Sequence, residues 1–179
     1  MKKGFLSFAV AAFFLLSFIS ASLLLSSQKQ DHSYESFRSL LVLEIASKRA
    51  FYRAESEAAS QAHAAALASG EDPYFAVKAA CFASAMEFES QMNRNGFAIS
   101  FWCGSPSEQD TVEASGRMQK EGGPSIPAGA SPLPSCEASF GADTLGKRLH
   151  FSRLGFSFYS HGLGAGKAVR LPDSFEVGF

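Results

Sequence analysis

Hydrophobic and polar positions follow one rule at the start of the chain and another further on. Phe5 to Ser27 contains no charge and no Pro, and its only polar side chains are serines at 7, 17, 20, 22, 26 and 27. Serines in a helix bond back to their own backbone. Twenty-three helical residues reach about 34 Å, enough for a hydrocarbon core of ~30 Å. This pattern predicts a transmembrane segment over 5–27. From Gln28 to Ser69 there is no Pro or Gly, and Ala, Glu, Arg, Lys and Leu dominate, all good helix formers. Apolar residues recur at Phe37, Leu40, Leu41, Ile45 and Tyr52, with Phe51 and Ala54 close by, a helical spacing. An amphipathic helix over 28–69 is expected, stopping at Gly70. Joined, the two stretches would form one helix of about 65 residues and about 97 Å. A break near Ser26-Ser27-Gln28 would instead leave an anchor followed by a separate helix.

The remainder, 70–179, has the pattern of a small α+β head. Asp72 is a candidate cap and Pro73 suits the first helical position, so Tyr74 to Asn95 reads as a second helix ended by Gly96. Its apolar positions include Phe75, Ala79, Phe82, Ala83, Met86 and Met92. Phe97 to Cys103 alternates as a half-buried strand. Over 104–135, half of the 32 positions are Gly, Pro or Ser, which predicts a long exposed loop, with a short hairpin around Thr111–Met118 as an option. Leu149 to Tyr159 is long enough for one substantial strand. Ala168–Leu171 and Phe175–Phe179 are further strand candidates in an antiparallel sheet, and the Gly-rich 161–166 stretch suits a hairpin turn.

Composition and charge narrow the function. Apolar residues make up 46% of the 179 and charged residues 18%, which suits one ordered domain plus an anchor. A net charge of -1 removes any global argument for nucleic acid as a partner. Lys2 and Lys3 with the amino terminus favour a cytoplasmic N-terminus, so the head is expected outside the cytoplasm. Beyond Gly146 the chain carries five bases against two acids, whereas acids outnumber bases in 104–135.

Three fates compete for the apolar segment. Ser20-Ala21-Ser22 offers a secretory cleavage site, but Leu23-Leu24-Leu25 follows it and a cut there leaves an apolar stub. An uncleaved anchor is the second. The third rests on Lys2-Lys3-Gly4-Phe5, which resembles the class III signal of type IV pilin-like proteins: a short basic leader, 1–4, ending in Gly before a retained apolar stretch that often starts with Phe. The resemblance implies a processing site at Lys3, Gly4 and Phe5 for a prepilin peptidase. It implies a stem helix that packs against other pilin-like subunits, in a surface filament or a secretion pseudopilus. The Glu usual at the fifth mature position is replaced by Ala9, a departure that argues against a major subunit. The motif covers 2–8 and the architecture 1–69; the head resembles no family we can name.

Three cysteines permit one disulfide. Cys103 and Cys136 flank the loosest segment and are the expected pair in an extracytoplasmic head; Cys81, among Ala79, Ala80, Phe82 and Ala83, reads as a buried free thiol. Cys103, Cys136, His150 and His161 have no metal-ligand spacing. Gly162–Lys167 is superficially a phosphate loop, but His161 stands where the first Gly is needed and Ala168 replaces the Ser or Thr. His32, His63, His150 and His161 stand at no spacing that marks a catalytic pairing with a carboxylate or nucleophile, and no Gly-x-Ser-x-Gly elbow is present. We therefore expect no enzyme activity, no cofactor and no metal. The leading expectation is a pilin-like membrane-anchored subunit; the alternative is a single-pass anchored protein whose head binds an extracellular ligand.

Overall fold

The computed structural model describes the backbone of residues 3–143 and 145–176, and the side chains of 36–143 and 145–173. The chain divides into two units, Met1–Ser39 and Leu40–Phe179. Helix α1 is assigned over Lys3–Ser69. Among the described residues no helix is long and apolar enough to cross a membrane; the side chains of the span expected over 5–27 lie outside them.

In the second unit, α1 ends as a glycine cap requires. Gly70 has φ 76°, and the Glu71 N–H reaches back to the Ala66 carbonyl at 3.0 Å, which satisfies an orphan acceptor of the last turn. Helix α2, Pro73–Arg94, starts two residues later, with the Asp72 carboxylate accepting the Tyr74 N–H at 2.9 Å and Pro73 in the first turn. It stops the same way: Gly96 at φ 83° and the Phe97 N–H on the Met92 carbonyl at 2.9 Å.

Among the described residues seven strands form two antiparallel sheets. Strands β1 (Ala98–Gly104), β2 (Ala130–Pro132), β5 (Leu154–Ser160) and β6 (Ala165–Arg170) make the larger sheet, ordered β2-β1-β5-β6. Strands β3 (Phe140–Ala142), β4 (Arg148–Phe151) and β7 (Ser174–Glu176) make the smaller one, ordered β3-β4-β7. The α+β class is thus seen, with one more helix and one more sheet than expected.

Two corrections carry physical reasons. The expected loop 104–135 contains helix α3, Glu108–Glu121, followed by β2 and a short 3-10 turn at Leu133–Ser135. Its start is a capping box: Ser107 Oγ accepts the Asp110 N–H at 3.1 Å and an Asp110 carboxylate oxygen accepts the Ser107 N–H at 2.8 Å. Two orphan groups are satisfied reciprocally. Gly122, at φ 72°, ends the helix. Ala114 and Met118, four apart, are its buried face, and that small face covers β6. A Cβ on Gly166 would come within 2.7 Å of the Met118 sulfur, so only glycine lets α3 lie this close.

The second correction concerns Leu149–Tyr159, read as one strand. Arg153 takes φ 57°, which breaks the extended run after Ser152 and sends β4 and β5 into different sheets. Phe151 lies in one and Phe156 in the other.

Phe51 of α1 joins both sheets. Its ring lies 4.8 Å from Phe101 on β1, 5.8 Å from Phe151 on β4 and 5.7 Å from Phe88 on α2. Phe51, Glu55, Ala59 and Ala66 are all buried, so one face of α1 is committed to the head. The alanines on this face let α2 approach closely: Cys81 Sγ lies 3.9 Å from the Glu55 carbonyl oxygen. Trp102, fully buried, lies over Gly155, and its indole N–H donates to Ser157 Oγ at 3.2 Å.

Candidate functional site

The exposed surface of α1 is polar at Arg49, Arg53 and Glu57 and apolar before them. Leu41, Val42 and Ile45 are exposed, Val42 by 59%, and in the first unit Phe37 is exposed by 64%. The sequence pattern had grouped Phe37, Leu40, Leu41, Ile45 and Tyr52 as one apolar stripe. In the second unit that group splits: Leu40 and Tyr52 pack on the head, with Leu43 beside them, and Leu41 and Ile45 remain exposed. Exposed branched and aromatic side chains at helical spacing are the feature expected of a face that meets another apolar surface.

Beside these exposed residues α1 carries a charged staple. Glu44, buried on the helix, accepts from Lys48 at 2.7 Å through one oxygen and from Lys167 of β6 at 2.7 Å through the other. Burial alone would raise the carboxyl; the hydrogen bonds and charges of the two lysines outweigh it and hold Glu44 below its ordinary value. Glu55, about three turns on, is the opposite case. Neither of its carboxyl oxygens has a regular hydrogen bond among the described residues. Burial pushes it up to about 8, against weak opposition from Ser84 and Cys81 on α2. The same burial, reinforced by Glu55, raises the Cys81 thiol, so this cysteine is free, buried and unreactive.

A cleft of about 190 Å³ opens beside the staple. Leu43 of α1, Met92 at the end of α2, Phe97, Ile99 of β1 and Phe158 of β5 give it apolar walls, with His161 at its mouth. His161 is held edge-on against Tyr159, ring centres 5.1 Å apart. Lys167 stands directly opposite Phe158 in the β5–β6 register, which places the staple on the same side of the sheet as the cleft.

The residues singled out in the sequence fall as follows. Cys103 and Cys136 are joined, Cα atoms 5.6 Å apart, with α3 and β2 inside the loop they close. Lys3, Gly4 and Phe5 belong to the first turns of α1, and their side chains lie outside the described residues. His150 is exposed on β4 and His161 lies in the β5–β6 turn. His63 packs near Gly146. Among the described residues no group of three or more His, Cys, Asp or Glu could hold a metal ion. The glycine-rich segment is a hairpin turn running into β6, with Gly164 at φ 60°. Glu55, the Glu44 staple and the cleft were not read from the sequence. Only Glu44–Lys48 had a local signal, its spacing of four.

No protein-family model, curated protein or solved structure matches this chain.

Proposed function

We propose that this chain is a pilin-like structural subunit of a surface filament or secretion pseudopilus, anchored by 5–27 with its N-terminus in the cytoplasm and its head outside. The observation that carries the reading is an uncovered apolar patch on α1: Leu41, Val42 and Ile45 are exposed, while Phe51, Ala59 and Ala66, further along, are spent on the head. A helix that anchors and also supports its own head has no use for such a patch. A helix that packs beside copies of itself does. The junction at Lys3-Gly4-Phe5 supplies the matching processing site, and a prepilin peptidase the matching partner.

Intact-mass measurement of the chain purified from its native membrane tests this. A mature chain starting at Phe5 supports the proposal, and Gly4→Leu then leaves the leader attached. A chain that keeps Lys2 and Lys3 in that membrane overturns it.

The cleft favours a second reading, an anchored extracellular protein whose head binds a ligand. Under that reading Leu41→Asp and Ile45→Asp leave function intact, whereas under the first they abolish assembly.

A further inference from the structure

Phe75 and the cleft occupy opposite ends of one helix. Phe75, in the first turn of α2, is exposed by 66%, and the half-buried Tyr74 ring props it edge-on at 5.0 Å. The Asp72 cap and Pro73 fix that turn, so the ring is a rigid knob and little freedom is lost when it is covered. Met92 at the other end lines the cleft. The seventeen residue steps from Phe75 to Met92 span about 26 Å at ~1.5 Å each, so the ring cannot fill the cleft of its own chain.

Size and charge match. The cleft's volume of about 190 Å³ exceeds the ~150 Å³ of a cavity that accepts a benzene ring and falls below the ~300 Å³ typical of sites for larger ligands. It is a place for one aromatic side chain. Around the knob, Glu71 and Asp72 are exposed and Lys78 follows one turn on, which leaves a net negative end. Around the cleft, Lys48 and Lys167 share the single carboxylate of Glu44, which leaves a net positive one.

We propose that the cleft is a socket for Phe75 of a second copy of this chain. The contact is head-to-tail: the patch used on one copy differs from the patch used on the next, and with no rotation that closes it such a contact builds open rows. It uses residues of the second unit alone, and it stands whether or not the leader is removed.

Pairwise cross-linking of the full-length chain tests it. Ala79→Cys chains, which keep the Phe75 ring one turn before the new thiol, are mixed with Ser160→Cys chains, Ser160 being a small cleft-lining residue, and treated with a mild oxidant. A control mixture pairs Ala79→Cys with Val112→Cys, exposed on α3 away from the cleft. Each variant is first checked for unchanged circular dichroism and melting. The expected result is a mixed dimer exceeding the control by about tenfold and lost when the Ser160→Cys partner also carries Ile99→Trp, which fills the socket. Equal yields in the two mixtures, or none in either, overturn the proposal. A retained leader would defeat the pilin reading and leave the dimer; Leu41→Asp should disrupt stem assembly and also leave it.

Discussion

The side chain of Asn93 clasps the backbone of Ile99 from both sides: Nδ2 donates to the Ile99 carbonyl at 2.9 Å, and Oδ1 accepts the Ile99 N–H at 3.0 Å. One turn earlier on α2, Glu89 accepts the Phe101 N–H at 2.7 Å. Strand β2 pairs with β1 only from Trp102 onward, so these two side chains replace a missing strand along the first half of β1. An unpaired edge is a template for unwanted pairing, and here a helix closes it.

Replacing Asn93 by Ala should cost about 1–3 kcal/mol, because the bonded N–H and carbonyl of the buried Ile99 lose their partners. Asn93→Asp keeps the acceptor and loses the donor, and should fall between wild type and Ala. Urea denaturation of the three proteins checks the order.

Glu55 makes stability depend on pH with a predictable sign. Its carboxyl is raised from an ordinary 4.5 to about 8, so the folded protein holds a proton that the unfolded chain has released. The contribution of Glu55 to stability is fullest at and below about pH 4.5, falls as pH rises, and levels off above about 8. Glu55→Gln should remove this slope and raise the melting temperature at pH 8–9 relative to wild type. Melting curves from pH 4 to 9 decide it; a mutant with the wild-type slope would show that another group is responsible.

Lys167→Met should weaken the Glu44 staple by no more than about 1 kcal/mol, since the lysine is 42% exposed and solvent screens it. Because Glu44 titrates below its ordinary value, the stabilisation is present at neutral pH and is lost as pH falls through the folded-state value. The difference between mutant and wild type should therefore vanish in acid.

Gly155→Ala should destabilise by about 1–3 kcal/mol, the usual cost of overpacking a filled core. A Cβ there would overlap the Trp102 ring and come within 2.7 Å of the Val169 carbonyl oxygen. The single tryptophan reports the result directly, through a change in its emission.

Opening the bond between Cys103 and Cys136, which are 33 positions apart, should cost about 3–4 kcal/mol in the chain-entropy picture. Denaturation of Cys103→Ser with Cys136→Ser, against wild type, measures it.

How much of this could be read from the chain depended on the kind of signal. The turn between α1 and α2 was legible because Gly70, Asp72 and Pro73 act locally. Cys103 and Cys136 were singled out because they bracket a compositionally odd segment. Helix α3 was missed although Ser107, Asp110 and Gly122 announce its ends; only Ala114 and Met118 are buried, and a two-residue face gives no visible periodicity. Arg153 hid the division of β4 from β5, because a left-handed arginine has no sequence signature. Glu55 looks like any other helical acid until α2 is laid over it. The cleft is built from four separate stretches and had no local trace at all.

The bond across 104–135 has a last consequence. Arg117 and Lys120 lie on α3 inside the closed loop, so a protease that cuts after either severs the polypeptide without freeing a fragment. Such a nicked head would still migrate as one species until reductant is added. A cut within α3 thus leaves both sheets tied together.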